Sequence, residues 1–116
     1  MNLTILISGP RKVQRKLLEK DVQSKSVDIA RKLGWWARKF SSPSQRSVPD
    51  YLFAREYQAI KMKFAVEFKA PGKTSTESQL EEQQKMRDAG WDVYECDNVE
   101  KFKQILFHYE NFGWLT

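Results

Sequence analysis

The chain has one cysteine and one histidine among 116 residues, and these two scarcities exclude a great deal of chemistry. A single Cys cannot form an intramolecular disulfide. One Cys with one His cannot assemble a zinc finger, a zinc ribbon or a His-pair metal site within one chain. Nucleophilic catalysis by a Cys–His pair would need Cys96 and His108 together, with nothing in reserve. Any metal chemistry therefore falls to carboxylates, whose oxygens suit hard cations such as Mg²⁺ or Mn²⁺. Glycine (5) and proline (4) are also few, unlike a low-complexity or disordered chain. No apolar run approaches the length of a membrane span. The apolar opening Met1–Ile7 is too short for a signal peptide and stops at Gly9-Pro10. The expectation from these absences is an intracellular, cytoplasmic protein with no membrane contact.

What is present supports one folded domain. With 41% hydrophobic and 13% aromatic residues, residues 1–116 can build a single core, and no repeat or second domain is visible. The net charge of +5 is uneven. Residues 1–50 carry eleven Lys/Arg against four Asp/Glu, while residues 51–116 carry nine against eleven. A basic half beside a near-neutral half suits a polyanion such as nucleic acid, and solubility alone is the plainer explanation.

The pattern along the chain alternates between elements. Leu3–Ile7 reads as a strand or extended arm, so residues 1–10 form an extra N-terminal piece. A helix follows from Arg11, with Leu18, Val22, Ile29 and Leu33 at helical spacing and Gly34 as its stop. Strands are expected over 35–40, 50–55, 62–70 and 91–96, and helices over 76–89 and 99–109. Pro43 and its polar neighbours make a loop ahead of Asp50. The order α-β-β-β-α-β-α predicts an α/β fold, a small central mixed sheet flanked by helices.

The densest chemistry lies in Glu67-Phe68-Lys69. A strand repeats every two residues, so Glu67 and Lys69 share one side while Val66 and Phe68 face the other. Taken alone, this reads as a solvent-facing ion pair worth little energy. Seventeen residues upstream is Pro49-Asp50, at the start of the preceding strand. Two adjacent strands would bring Asp50 beside Glu67, and two neighbouring carboxylates repel unless a cation lies between them. Lys69 beside that ion would steady a developing hydroxide or a scissile phosphate. The chain has one Pro-Asp and one Asp/Glu-x-Lys, so the pairing is not selected from many. Thr76-x-x-Gln79 fits a capping box at the start of the next helix. Of the aromatics after Gly34, Trp35, Trp36 and Phe40 suit a core better than base stacking.

Pro49-Asp50 followed by Glu67-x-Lys69 resembles the PD-(D/E)xK signature of the restriction-endonuclease-like superfamily. More closely, the chain resembles a stand-alone VRR-NUC domain, the virus-type replication-repair nuclease. The likeness rests on Glu19 in the first helix, Gly34-Trp35 at its end, Glu67-Phe68-Lys69-Ala70-Pro71-Gly72, Gln79, and Ala89-Gly90-Trp91 before a strand. It spans roughly Glu19 to Leu106. Ser47 stands where the family has Gly, Gln83 stands where a related RecB-type pattern has Tyr, and the arm Met1–Ile7 has no counterpart.

The resemblance implies a restriction-endonuclease-like core and a Mg²⁺- or Mn²⁺-dependent DNA endonuclease acting on branched or Holliday-junction DNA in replication or repair. It implies that Asp50, Glu67 and the backbone carbonyl of Phe68 hold the metal. Lys69 would act on the attacking water, Glu19 would serve a second ion or its water, and Gln79 would reach the site. Arg38, Lys39, Arg46 and Lys73 are the expected DNA contacts. A homodimer, a phage origin and hence action in the host cytoplasm are further implications. The alternative is a non-catalytic nucleic-acid-binding module that uses the basic N-terminal half.

Overall fold

A computed structural model describes residues 11–41 and 47–114, and of the side chains those of 18–41 and 47–111. The expected arm at 1–10, together with Arg46 in the loop before Asp50, lies outside the described residues. Helix α1 runs Arg11–Lys32. It ends in a glycine-dependent wrap: Gly34 has φ +99°, the Gly34 amide donates to the Arg31 carbonyl (3.0 Å), and the Trp35 amide donates to that of Ala30 (3.0 Å). That pair of bonds satisfies carbonyls the helix would otherwise leave open, in a conformation that favours glycine.

The expected apolar stripe on α1 needs correction. Leu18 and Leu33 are 47% and 45% exposed, whereas Val22, Ser26, Val27 and Ala30 are buried. At about 100° per residue, the inward face is rotated by roughly a fifth of a turn from the Leu18–Leu33 line. Small side chains at Ser26 and Ala30 let the helix lie close against its neighbours, which a leucine ridge would prevent.

Strand β1 (Trp36–Lys39) pairs antiparallel with β2 (Tyr51–Tyr57), and β2 pairs antiparallel with β3 (Ile60–Phe68). Helix α2 (Glu77–Asp88) then crosses over to β4 (Asp92–Cys96), which runs parallel to β3. Helix α3 (Val99–Trp114) follows. The sheet order is β1-β2-β3-β4, and the order of elements is the one read from the sequence. The largest differences in bounds are that β2 reaches Tyr57 rather than stopping at Arg55, β3 runs Ile60–Phe68 rather than 62–70, and α3 reaches Trp114 rather than Tyr109.

The core lies on one face of the sheet, under α1 and α3. Phe53, Phe64, Val66 and Phe68 point there with Trp35 and Ala37, meeting Phe102, Ile105, Leu106 and Tyr109 of α3. Phe64 sits at the centre, stacked against Phe53 (4.9 Å) and Tyr109 (4.8 Å) with the edge of Trp35 at 5.2 Å. Such packing removes several large rings from water at once. On the opposite face α2 packs along β4, and Ala65, Val93 and Gln83 are buried there. The β1–β2 part of that face remains open, with Arg38, Trp36 and Phe40 exposed.

Candidate active site

Strand register places the two carboxylates. Tyr51 pairs with Val66, so one step back along β2 sets Asp50 opposite Glu67, with both side chains on the face away from the core. Asp50 is fixed on two sides: its carbonyl accepts from the Phe40 amide (2.7 Å), and its Oδ2 accepts from the Phe68 amide (3.2 Å). The amide and carbonyl of one strand residue leave the same edge, so the Phe68 carbonyl also points toward Asp50. Glu67 is only 4% exposed. Its Oε2 accepts from the Gln79 amide nitrogen at 3.4 Å, while its Oε1 is buried with no hydrogen-bond partner.

A buried, half-unpartnered carboxylate beside a second one is electrostatically costly. Burial first, then the Asp50 charge, push the Glu67 carboxyl up to about 8. Burial also raises Asp50, opposed chiefly by the Phe68 amide and to a smaller extent by the Glu67 carboxyl, Lys39 and Lys69. Lys69 projects from the same side of the chain as Glu67, just past the end of β3. Its Nζ donates to Gln79 Oε1 (2.8 Å).

Gln79 does two things at once. The Thr76 hydroxyl accepts from the Gln79 amide (3.2 Å), and Gln79 Oε1 accepts from the Thr76 amide (2.9 Å), a complete capping box at the start of α2. The same side chain bridges Lys69 and Glu67. The Thr76 backbone amide, rather than its hydroxyl, is the part of the cap that touches the oxygen holding the lysine.

The other expected residues are distributed around this centre. Glu19 is exposed on α1, and its charge is among those raising Glu67. Among the described residues, no group of three His, Cys, Asp or Glu is close enough to hold one ion. Lys39 lies on β1 within electrostatic reach of Asp50. Arg38 lies over the Trp36 ring at 5.3 Å. Lys73 is exposed on the turn after β3, where its amide donates to the Ala70 carbonyl (2.9 Å). Ser47, the family's Gly position, donates its hydroxyl to that of Ser78 (3.0 Å), tying the Asp50 loop to the start of α2. The aromatics divide: Trp35 is core, whereas Trp36 is 48% exposed. Cys96 is buried, with burial pushing its thiol up, and His108 is exposed on α3.

Two residues of this region were not singled out from the sequence. Glu95 pairs with Glu67 across β3–β4 and accepts from the Ser75 amide. Asp97 accepts from the Gly72 amide (2.9 Å), a bond that lowers its carboxyl. Together they pin the segment between β3 and α2 that carries Lys73 and the Thr76 cap. The signal was Glu95-x-Asp97 at the end of the strand neighbouring Glu67-x-Lys69, legible only once the register is known.

No family model matches the sequence. The chain is 37% identical over 84 residues to "Putative nuclease p44" of Acyrthosiphon pisum secondary endosymbiont phage 1, covering 72% of this chain and 87% of that protein. A solved structure described as a VRR_NUC domain superposes with a TM-score of 0.67 at 24% identity, over 78% of this chain and 96% of its own. That likeness gives the fold, a restriction-endonuclease-like α/β core. The phage relative supplies the sequence kinship, and with Pro49-Asp50 and Glu67-x-Lys69 brought side by side, the chain belongs to the VRR-NUC nuclease family.

Proposed function

We propose that this protein is a metal-dependent endodeoxyribonuclease that hydrolyses phosphodiester bonds directly, with Asp50 and Glu67 holding Mg²⁺ or Mn²⁺. The observation that carries this reading is the buried Glu67 carboxyl, one oxygen unpartnered, set opposite Asp50 by the β2–β3 register. The donor set fits a small hard cation: two carboxylates, the Phe68 carbonyl on the Asp50 side, and open solvent for waters. Glu19 would serve a second ion through water. A divalent ion held there supplies Lewis acidity and offsets charge on the phosphate.

The chain's own groups do the positioning. Lys69, clamped by Gln79, presents an ammonium where the attacking water and the scissile phosphate meet, and it offsets the negative charge that develops as the bond to the leaving oxygen breaks. Gln79 keeps that ammonium from swinging back onto the carboxylates. Arg38, Lys39 and Lys73, together with Arg46 outside the described residues, are the side chains we assign to backbone contacts with DNA. The nuclease-named phage relative supports a nucleic-acid substrate, and branched or Holliday-junction DNA, in replication or repair, is the substrate we assign to this chain. A homodimer would set two such sites on two strands, acting inside the cell and, for a phage-encoded chain, in the host cytoplasm.

One assay tests this reading. The protein is incubated with four-way, flap, single-stranded and linear duplex DNA, with Mg²⁺, with Mn²⁺ and with chelator. Cutting of branched DNA that stops on chelation and in Lys69→Ala is the expected result. Tight DNA binding with no cutting under either metal would leave the binding-module alternative in its place.

A further inference from the structure

The face of the sheet that carries Asp50 and Glu67 has a second feature at its far end. Paired residues on neighbouring strands point the same way, so the register arranges this face in rows. Phe40, Asp50, Glu67 and Glu95 form one row. Arg38, Leu52, Ala65 and Val93 form the next, and Trp36, Ala54 and Lys63 the one after. At about 3.4 Å per residue, the Trp36 row lies ~14 Å from the carboxylates along the strands.

That far row is built from flat rings and cations around a small floor. Trp36 is roughly half exposed with the Arg38 guanidinium over it at 5.3 Å, and Lys63 lies over the Trp91 ring at 4.8 Å. Ala54 sits between the two pairs, leaving a groove of about 610 Å³ bordered by Trp36, Ala54, Glu56, Lys61 and Lys63. Neither tryptophan is needed there by the core, which uses Trp35 instead. Glu56 is the single carboxylate on a border that also carries Arg55, Lys61 and Lys63, with Arg38 beside it over Trp36.

We propose that this open face seats unpaired nucleotides of the strand that enters the active site, their bases stacking against Trp36 and the Arg38 plane while Lys61 and Lys63 meet the phosphates. The inference rests on the nuclease reading for its direction and deepens it: the preferred substrate carries unpaired bases about four stacked nucleotides from the cut. The charge of the face is complementary to a polyanion. Aromatic platforms with neighbouring cations bind single strands of any sequence, because every base has a face to stack. A paired duplex hides those faces and would gain only the phosphate contacts.

The test is binding without metal, so that cutting does not enter. Labelled oligothymidylate, a matching duplex and a duplex with a single-stranded flap are titrated with wild type, Trp36→Ala, Trp36→Phe and Lys63→Ala in chelator, with circular dichroism confirming the fold. Trp36→Ala should weaken single-strand and flap binding at least about fivefold, Trp36→Phe should restore most of it, and duplex binding should change less than about twofold. Equal losses on all three DNAs, or no loss on any, would overturn the proposal. So would sedimentation showing that Trp36→Ala turns a dimer into a monomer, since the face would then belong to a second copy. Wild type that binds single strands through Trp36 but never cuts would remove the nuclease reading while leaving this surface standing.

Discussion

Strand β3 carries two proteins' worth of instruction on alternate residues. Phe64, Val66 and Phe68 face a dry aromatic core under α1 and α3, while Glu67, with Lys69 just past the strand, faces Asp50 and the α2 cap. Packing on the first side repays burial with stacked rings. On the second side a carboxyl is buried with one oxygen unpartnered, which weakens the fold. The difference teaches which face folding selects and which it merely tolerates: the core stabilises the sheet, and the sheet holds an arrangement that would not persist alone.

That contrast can be broken by substitution on each side. Lys69→Ala or Glu67→Gln should lower cleavage at least a hundredfold and leave the thermal transition in place or raised, as followed by gel assay and calorimetry. Phe64→Ala should do the reverse. It should cost about 3–5 kcal/mol by denaturant unfolding, while the remaining folded molecules cut with near-normal rates. If Phe64→Ala and Lys69→Ala moved stability and rate in parallel, the division of labour between faces would be wrong.

Titration sharpens the same comparison. Burial, then the neighbouring Asp50 charge, hold Glu67 at about 8 against 4.5 for a free side chain. The folded protein therefore keeps a proton that the unfolded chain releases. That contribution is complete below pH 4.5 and is lost as pH rises through 8. Metal-free protein should lose up to about 5 kcal/mol across this window, and Glu67→Gln should flatten the profile. Added Mg²⁺ should restore stability most at the alkaline end, where both carboxylates are free to bind it. A metal-free profile that rose with pH would contradict the burial of Glu67.

Much of this arrangement was legible in the chain, and the gaps have physical causes. The alternation of Met62–Ala70 and the uniqueness of Pro49-Asp50 and Glu67-x-Lys69 were enough to pair the carboxylates, because a hairpin leaves few registers. The ends of β2 and β3 were not legible. Their turn is Gln58-Ala59, with φ +50° and +69°, where a two-residue turn of this kind ordinarily announces itself with Asn-Gly. The face of α1 was misread because leucines dominate a periodicity count, while Ser26 and Ala30, which make the close contact, contribute little to it. Glu95 and Asp97 were invisible because their partners are backbone amides of a turn, and no pattern of side chains encodes those.

The smallest effect expected is also the most discriminating, because Gln79 serves both the helix cap and the site. As the third residue of α2 it completes the Thr76 capping box, and through the same oxygen it holds Lys69. Thr76→Ala removes the cap hydroxyl and leaves Gln79 in place. It should cost about 1 kcal/mol of stability with cleavage changed little, because Lys69 keeps its acceptor. Gln79→Glu is the opposite case. A glutamate completes a capping box as well as glutamine does, so stability should hold, but the amide nitrogen that donates to Glu67 Oε2 becomes a carboxylate oxygen. A third negative charge then faces the pair, raising Glu67 further and competing for Lys69. Cleavage should fall roughly tenfold, with the pH profile of the rate shifted to the alkaline side. If Thr76→Ala instead lost as much rate as Gln79→Glu, the helix cap rather than the amide would be what positions Lys69.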